Sequence, residues 1–254
     1  MRRAVLTTVL AGCSFVHGAL QDTPDGGVSS DGRTGTDGNA VAPKCHSDLP
    51  NLRLCLDFED ANLGDDSSGI AHSIQVHSVT QMSRGTQGAA LMNDQSLINV
   101  GASGSLDITP ELSIEMWASP TSFPPTTGMP SWFLFSAQQY AIGFDGTTAV
   151  CSVTSADQTQ TISAGSNVQS GKWSHVACVY NGNRLVLYLD GLIQDCANGA
   201  FPIATGINAG LQIGAGYTGG LDDVHIYASA LGATDVCQLA TGGTTCQSAC
   251  PSPN

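Results

Sequence analysis

From Leu52 to Tyr227 the apolar residues fall in short runs that alternate with polar ones, and Gly, Asn, Asp or Pro soon cuts each run off. A period of two is what a half-buried strand needs, and it is incompatible with a helical stripe. In Leu52 to Phe58, the residues Leu52, Leu54, Leu56 and Phe58 share one face, while Arg53, Cys55 and Asp57 share the other. Similar runs lie at Leu112 to Ala118, Trp132 to Ser136, Thr148 to Val153, Trp173 to Tyr180, Arg184 to Asp190, Leu211 to Gly214 and Leu221 to Tyr227. So many short strands predict two antiparallel sheets packed as a sandwich or closed as a barrel. Only Ala230 to Leu239 has the spacing of a helix, and a short one. Tyr180-Asn181-Gly182-Asn183-Arg184 supplies the positive φ of a tight hairpin, and Asp190-Gly191 a second turn, so the strands around them form a three-strand meander.

The amino terminus is different. Met1-Arg2-Arg3 precedes the apolar stretch Ala4 to Ala11, the pattern of an export signal over residues 1–12. Leu10-Ala11-Gly12-Cys13 resembles the bacterial lipobox, in which the cysteine is acylated and becomes the first residue. The chain holds 9 cysteines, an odd number. Acylation of Cys13 leaves an even set, Cys45, Cys55, Cys151, Cys178, Cys196, Cys237, Cys246 and Cys250, which suits disulfides outside the cytoplasm. Cys151 and Cys178 fall in neighbouring strands of the meander sheet on this reading and are expected to pair; Cys55 is expected to meet Cys45 or Cys237. Residues 13–44 are rich in Gly, Asp, Ser and Thr and too polar to pack, so they read as a stalk with a reach of about 30 Å. The folded domain is expected over 45–240, with a cysteine-containing tail over 241–254. Acyl chains on Cys13 would be the sole link to a bilayer. Ser14 after that cysteine favours the outer membrane or cell surface of a bacterium over inner-membrane retention.

Composition removes one class of partner. With 8 Lys and Arg against 21 Asp and Glu, the formal charge is -13, and no basic stripe is available to neutralise phosphates. Nucleic-acid binding is excluded.

Within the meander, Gly171-Lys172-Trp173-Ser174-His175-Val176-Ala177, then Tyr180-Asn181-Gly182 and Leu187-Tyr188-Leu189-Asp190-Gly191, resemble the signature of bacterial LamG-like jelly-roll domains. Leu56-Asp57-Phe58-Glu59 with Asp66-Ser67-Ser68-Gly69, Leu112 to Pro120, and Gly220 to Tyr227 agree in the same order. The similarity runs over about residues 50 to 240 and implies the concanavalin A-like lectin/glucanase superfamily and its all-β, two-sheet antiparallel jelly-roll sandwich. That superfamily includes glycan-binding modules, protein-binding modules and domains attached to enzymes, so fold alone does not select a function.

Several constellations are candidates for chemistry. Glycanases of the superfamily carry closely alternating acids on one strand, whereas Glu115 is the only acid between Leu112 and Ala118 and reads as a surface or groove-edge residue. Catalysis is not expected. His175 reads as a packing or hydrogen-bonding residue. Cys246 and Cys250 lack the further ligands that zinc needs. Asp57, Glu59, Asp66, Asp222 and Asp223 belong to the first and last family motifs and could form a structural Ca2+ site. By simple alternation Asp222 shares a face with Val224 and Ile226, so it should point into the core and need either a metal or loop hydrogen bonds. For a sugar, an accessible ring flanked by amides is the usual platform. Trp132, Tyr140 and Tyr217 are the candidates, with Trp117 and Trp173 expected to fill the layers of the fold. These observations favour a non-enzymatic, lipid-anchored surface protein that recognises extracellular or cell-wall carbohydrate. A protein-binding adhesin or envelope structural module, or a glycan hydrolase or lyase, are the alternatives. No organic cofactor is implied.

Overall fold

A computed structural model describes residues 45, 48–206, 210–246 and 249–250. The signal segment, Cys13 and the stalk lie outside the described residues. In chain order the strands are β1 (Leu52–Leu56), β2 (Ile74–His77), β3 (Thr80–Arg84), β4 (Gln87–Met92), β5 (Leu97–Val100), β6 (Leu112–Pro120), β7 (Ser131–Ser136) and β8 (Tyr140–Asp145). There follow β9 (Thr148–Thr154), β10 (Thr159–Asn167), β11 (Ser174–Tyr180), β12 (Arg184–Leu189), β13 (Leu192–Asn198), β14 (Leu211–Ile213), β15 (Gly219–Tyr227) and one helix, α1 (Ala233–Thr241).

Two antiparallel sheets result. One has eight strands in the order β13-β12-β11-β6-β15-β4-β3, with β1 also paired to β15; the other has seven, in the order β10-β9-β8-β7-β14-β5-β2. Their facing sides form the main core, where Leu54, Ile114, Met116, Leu134, Ile142, Val176 and Ile226 are fully buried. Buried apolar area contributes about 25 cal/mol per Å2, so this interlayer supplies most of the driving force. The outer side of the eight-stranded sheet carries a second, smaller core: Ala177, Val179, Tyr188 and Tyr227 are covered by Leu231 and Val236 from α1 and its approach. Among the described residues no helix is long and apolar enough to cross a membrane.

All eight cysteines after Cys13 are joined: Cys45–Cys55, Cys151–Cys178, Cys196–Cys250 and Cys237–Cys246. The alternative for Cys55 resolves to Cys45. Cys151 and Cys178 do pair, but not as neighbours in one sheet: Cys151 is on β9 of the seven-stranded sheet and Cys178 on β11 of the other, so their bond crosses the core. Such cross-linking belongs to an oxidising compartment, as in an exported protein.

Two bulges decide which side chains reach the outer faces. On β15 the register to β6 shifts between Asp222 and His225, with Asp223 at φ 47°. Asp222 therefore lies on the side opposite Val224 and Ile226, outside the interlayer core, contrary to simple alternation. On β7 the register to β8 shifts between Trp132 and Leu134, so Phe133 and Leu134 both enter the core while Trp132 and Phe135 face outward.

Candidate functional site

The outer side of the eight-stranded sheet gathers the charged groups. Glu115 on β6 lies between His175 on β11, 2.6 Å from its Nε2, and His225 on β15, whose Nδ1 contacts Oε1. Neither a surface nor a groove-edge residue, Glu115 is 2% exposed. Burial alone would raise its carboxyl, but the charge on His225 and the hydrogen bonds from both imidazoles outweigh that and hold it at about 2. Next along the face, Arg84 donates to Asp222 at 2.5 Å and to Asp223, and its guanidinium lies 4.7 Å from the Trp117 ring. Trp117 and Trp173 therefore do not fill the interlayer; they flank Arg84 on the outside of the sheet.

This arrangement does not fit the expected Ca2+ cage. Asp222 accepts from the Arg84 guanidinium. Asp66 accepts from the N–H groups of Cys55, Ser68 and His72 and from the His72 ring, while Asp57 takes the Ser67 hydroxyl and Glu59 the Gly88 N–H. Among the described residues, no three of these carboxylates bring oxygens within 4.8 Å of one another. The group that does so, Cys45, Cys55 and His225, has both sulfurs in a disulfide.

The outer side of the seven-stranded sheet is built differently. Strand register lines up Gln75, Asn99 and Gln212 on β2, β5 and β14, and sets Gln212 opposite Phe135 on β7. Beyond Phe135 the same row continues through Ala141, Ser152 and Thr161. None of these side chains is charged. In the adjacent row Trp132 lies opposite Gly143, where a Cβ would fall 2.9 Å from its Cε3. Small residues thus leave a floor beneath two half-buried rings. Asn99, Phe135, Gln212 and their neighbours Ala137 and Gly210 border a cavity of about 390 Å3. A larger one, about 630 Å3, lies past the β7–β8 turn against Gln138, Thr154, Ser155 and Thr205. Asp107 props this end of the sheet by accepting from the buried Gln139 side chain at 2.5 Å and the Gly206 N–H at 2.6 Å. Carboxamides both donate and accept, as sugar hydroxyls do, and an aromatic ring packs against C–H faces.

Of the three rings singled out from sequence, only Trp132 stands on this face. Tyr140 is 1% exposed with its hydroxyl on the Leu106 carbonyl, and Tyr217 is 4% exposed with its hydroxyl on the Gly220 carbonyl. Burial pushes both phenols above their ordinary range. Neither offers a face to a ligand in this structure, and the three rings do not converge. Sequence reading missed Phe135 and Gln212. Their signal was the pairing of β7 with β14, which alternation within one strand does not reveal.

Two antiparallel sheets packed face to face make this a jelly roll of the concanavalin A type, and comparison with known proteins agrees. The chain belongs to the concanavalin A-like lectin/glucanases superfamily, whose family model matches residues 92–237. Among solved structures, domain 4 of AbnA, an extracellular arabinanase from Geobacillus stearothermophilus seen in complex with arabinotriose, is similar with a TM-score of 0.64 and 21% identity over 75% of this chain and 98% of that one. The binding domain of Paraclostridial Mosquitocidal Protein 1 is similar at a TM-score of 0.66 and 18% identity, covering 77% of this chain and 52% of that one. The structure of botulinum neurotoxin type C, whose cell entry depends on two ganglioside molecules, is similar at 0.61 and 15%, covering 77% and 51%. The chain thus spans about half the length of the two toxin chains. No curated protein matches the sequence significantly.

Proposed function

We propose that this chain is a non-enzymatic, exported surface module that recognises extracellular or cell-wall carbohydrate through the outer side of its seven-stranded sheet. The observation that carries this reading is the juxtaposition of Phe135 with Gln212 and Asn99 around the 390 Å3 cavity, beside Trp132. Arabinotriose and gangliosides, the ligands named for two of the structural neighbours, lend the same direction. The acid that a glycanase would need on β6, Glu115, is sealed between two imidazoles and has no access to a polymer. A glycan array probed with the full-length oxidised protein tests the proposal. Binding that Trp132→Ala and Phe135→Ala both weaken supports it; a clean array, with and without Ca2+, counts against it.

Anchoring through Cys13 is part of the same proposal, with the stalk holding the domain off an outer membrane or cell surface. Mass spectrometry of membrane-fraction protein should find an amino terminus beginning at an acylated Cys13. Cys13→Ser should move the protein to the soluble fraction. A mature terminus elsewhere would remove the anchor and leave the binding proposal standing.

A further inference from the structure

We infer that the seven-stranded face takes a neutral glycan along its length, by interior units of the chain rather than by an end. This deepens the recognition reading above and rests on it. Four cations occur among the described residues, and none is on that sheet: Arg53 is on β1, Arg84 on β3, Arg184 on β12, and Lys172 immediately precedes β11. Arg84 is bound to Asp222 and Asp223, and Arg184 to Asn198. A uronate or sulfate lying on the seven-stranded face would meet no Lys or Arg for its charge, only the exposed His77 imidazole beside Gln75 on β2, inside the field of a chain of net charge -13. Elsewhere in the row its desolvation would go uncompensated.

The acids are absent from the row as well. Asp145, at the end of β8, is turned into the N–H groups of Thr127 and Gly128, where it holds the loop before β7. What remains in the row is the carboxamides of Gln75, Asn99 and Gln212, the Phe135 ring and the Thr161 hydroxyl, over a floor of buried Ala141 and Ser152, the groups that suit a neutral sugar chain.

The direction of the row gives the second half of the inference. Gln75 lies on β2 and Thr161 on β10, the two edge strands, so the row crosses the whole sheet. Six interstrand steps at about 4.8 Å make it roughly 29 Å long. That length holds several sugar rings. Gln75 and Thr161, at the two ends of the row, are both exposed, so a longer chain can run on past both ends.

The test is calorimetry of the full-length oxidised protein against linear arabinan, xylan and β-glucan oligomers of rising length, and against polygalacturonate and alginate. A neutral series should bind, with affinity rising about tenfold or more with length before it levels off. Reducing or tagging the chain end should leave affinity unchanged, as should high salt. Phe135→Ala should weaken binding about tenfold while the unfolding midpoint stays put, since the ring is outside both cores. Gln212→Lys should admit polygalacturonate. Salt-sensitive binding of the acidic polymers by the unaltered protein, or loss of affinity on blocking the end, overturns the inference; if Phe135→Ala abolishes that binding, the recognition reading survives. Should none of these polymers bind, or Phe135→Ala leave binding intact, both fall.

Discussion

Glu115 and His175 meet at 2.6 Å across neighbouring strands of the eight-stranded sheet, with neither side chain more than 2% exposed, and His225 closes on the carboxylate from the other side. A buried charge is tolerable only when it is paired and hydrogen-bonded, so this cluster ties fold stability to pH. Glu115 lies far below its ordinary 4.5, at about 2, so its contribution is complete above 4.5 and is lost as pH falls through the folded value. His225 moves the other way. Burial lowers it, but the Glu115 carboxylate outweighs burial and raises it above its ordinary 6.5, so its contribution is complete below 6.5 and is lost as pH rises through the raised value. Thermal unfolding should therefore peak between about pH 4.5 and 6.5. Glu115→Gln should cost about 3–5 kcal/mol and flatten that profile. A midpoint that fails to fall on either side of this range, or that is highest above pH 8, would contradict the assignment.

Arg84 is the counter-ion for two adjacent carboxylates, and Asp222, fully buried, is the one that cannot reach water. Burial and the neighbouring Asp223 push the Asp222 carboxyl up to about 7, against the pull of Arg84. A raised carboxyl opposes folding as pH climbs from its ordinary 3.8 through 7, which reinforces the acidic optimum. Arg84→Met strips the opposing charge beside Asp222 and leaves its carboxylate the Asp223 N–H at 2.8 Å. The loss should reach about 3–5 kcal/mol near pH 8, where Asp222 is forced to ionise, and shrink near pH 5, where it takes up a proton. Urea unfolding at the two pH values measures the difference; equal losses would show that Arg84 acts through packing on Trp117 alone.

The sheets were legible where strands alternate strongly, as in β6, β11 and β12, and the two hairpins of the meander follow from Asn181-Gly182 and Asp190-Gly191. The strands β2, β3 and β10 escaped at the sheet edges, where Gln75, Thr80, Gln81, Thr159 and Thr161 are exposed and the apolar signal is short or weak. Inside the sheets β4, β5 and β8 escaped, β5 because it is only 4 residues long and β8 because Tyr140 to Phe144 are buried on both faces and so do not alternate. Both outer faces were hidden by bulges. One extra residue at Asp223 reverses the side on which Asp222 falls, and one at Phe133 brings Trp132 and Phe135 to the same side. Alternation read from Trp132 would have set Phe135 on the opposite face. No local pattern announces a bulge whose residue is not glycine.

Gly143 is where the neutral face tolerates least change. A Cβ there would fall 2.3 Å from the Ser131 carbonyl oxygen and 2.9 Å from Trp132, and the carbonyl belongs to a paired strand that cannot swing aside. Gly143→Ala should cost about 1–3 kcal/mol and shift Trp132 from its seat. Trp132 emission, isolated in a Trp117→Phe, Trp173→Phe background, should change with it. Glycan affinity should fall in step. Unchanged emission would place the ring elsewhere than over Gly143.

Cys151 and Cys178 are both fully buried, one in each sheet, so their bond is a covalent tie through the middle of the sandwich. The bridge closes a segment with a sequence separation of 27. In the chain-entropy account, a loop of that size restricts the unfolded ensemble by about 3–4 kcal/mol. Replacing both cysteines with alanine also removes two buried sulfurs from the interlayer, which adds a cavity cost in the same direction. The Cys237–Cys246 bridge spans only 9 positions next to α1, and its loss should cost less and leave the interlayer core intact. Denaturant midpoints of the two double variants give the comparison directly. The ordering, not the absolute values, is the decisive result: if removing Cys237–Cys246 proved the more damaging, the tie between the sheets would not be what holds the sandwich closed.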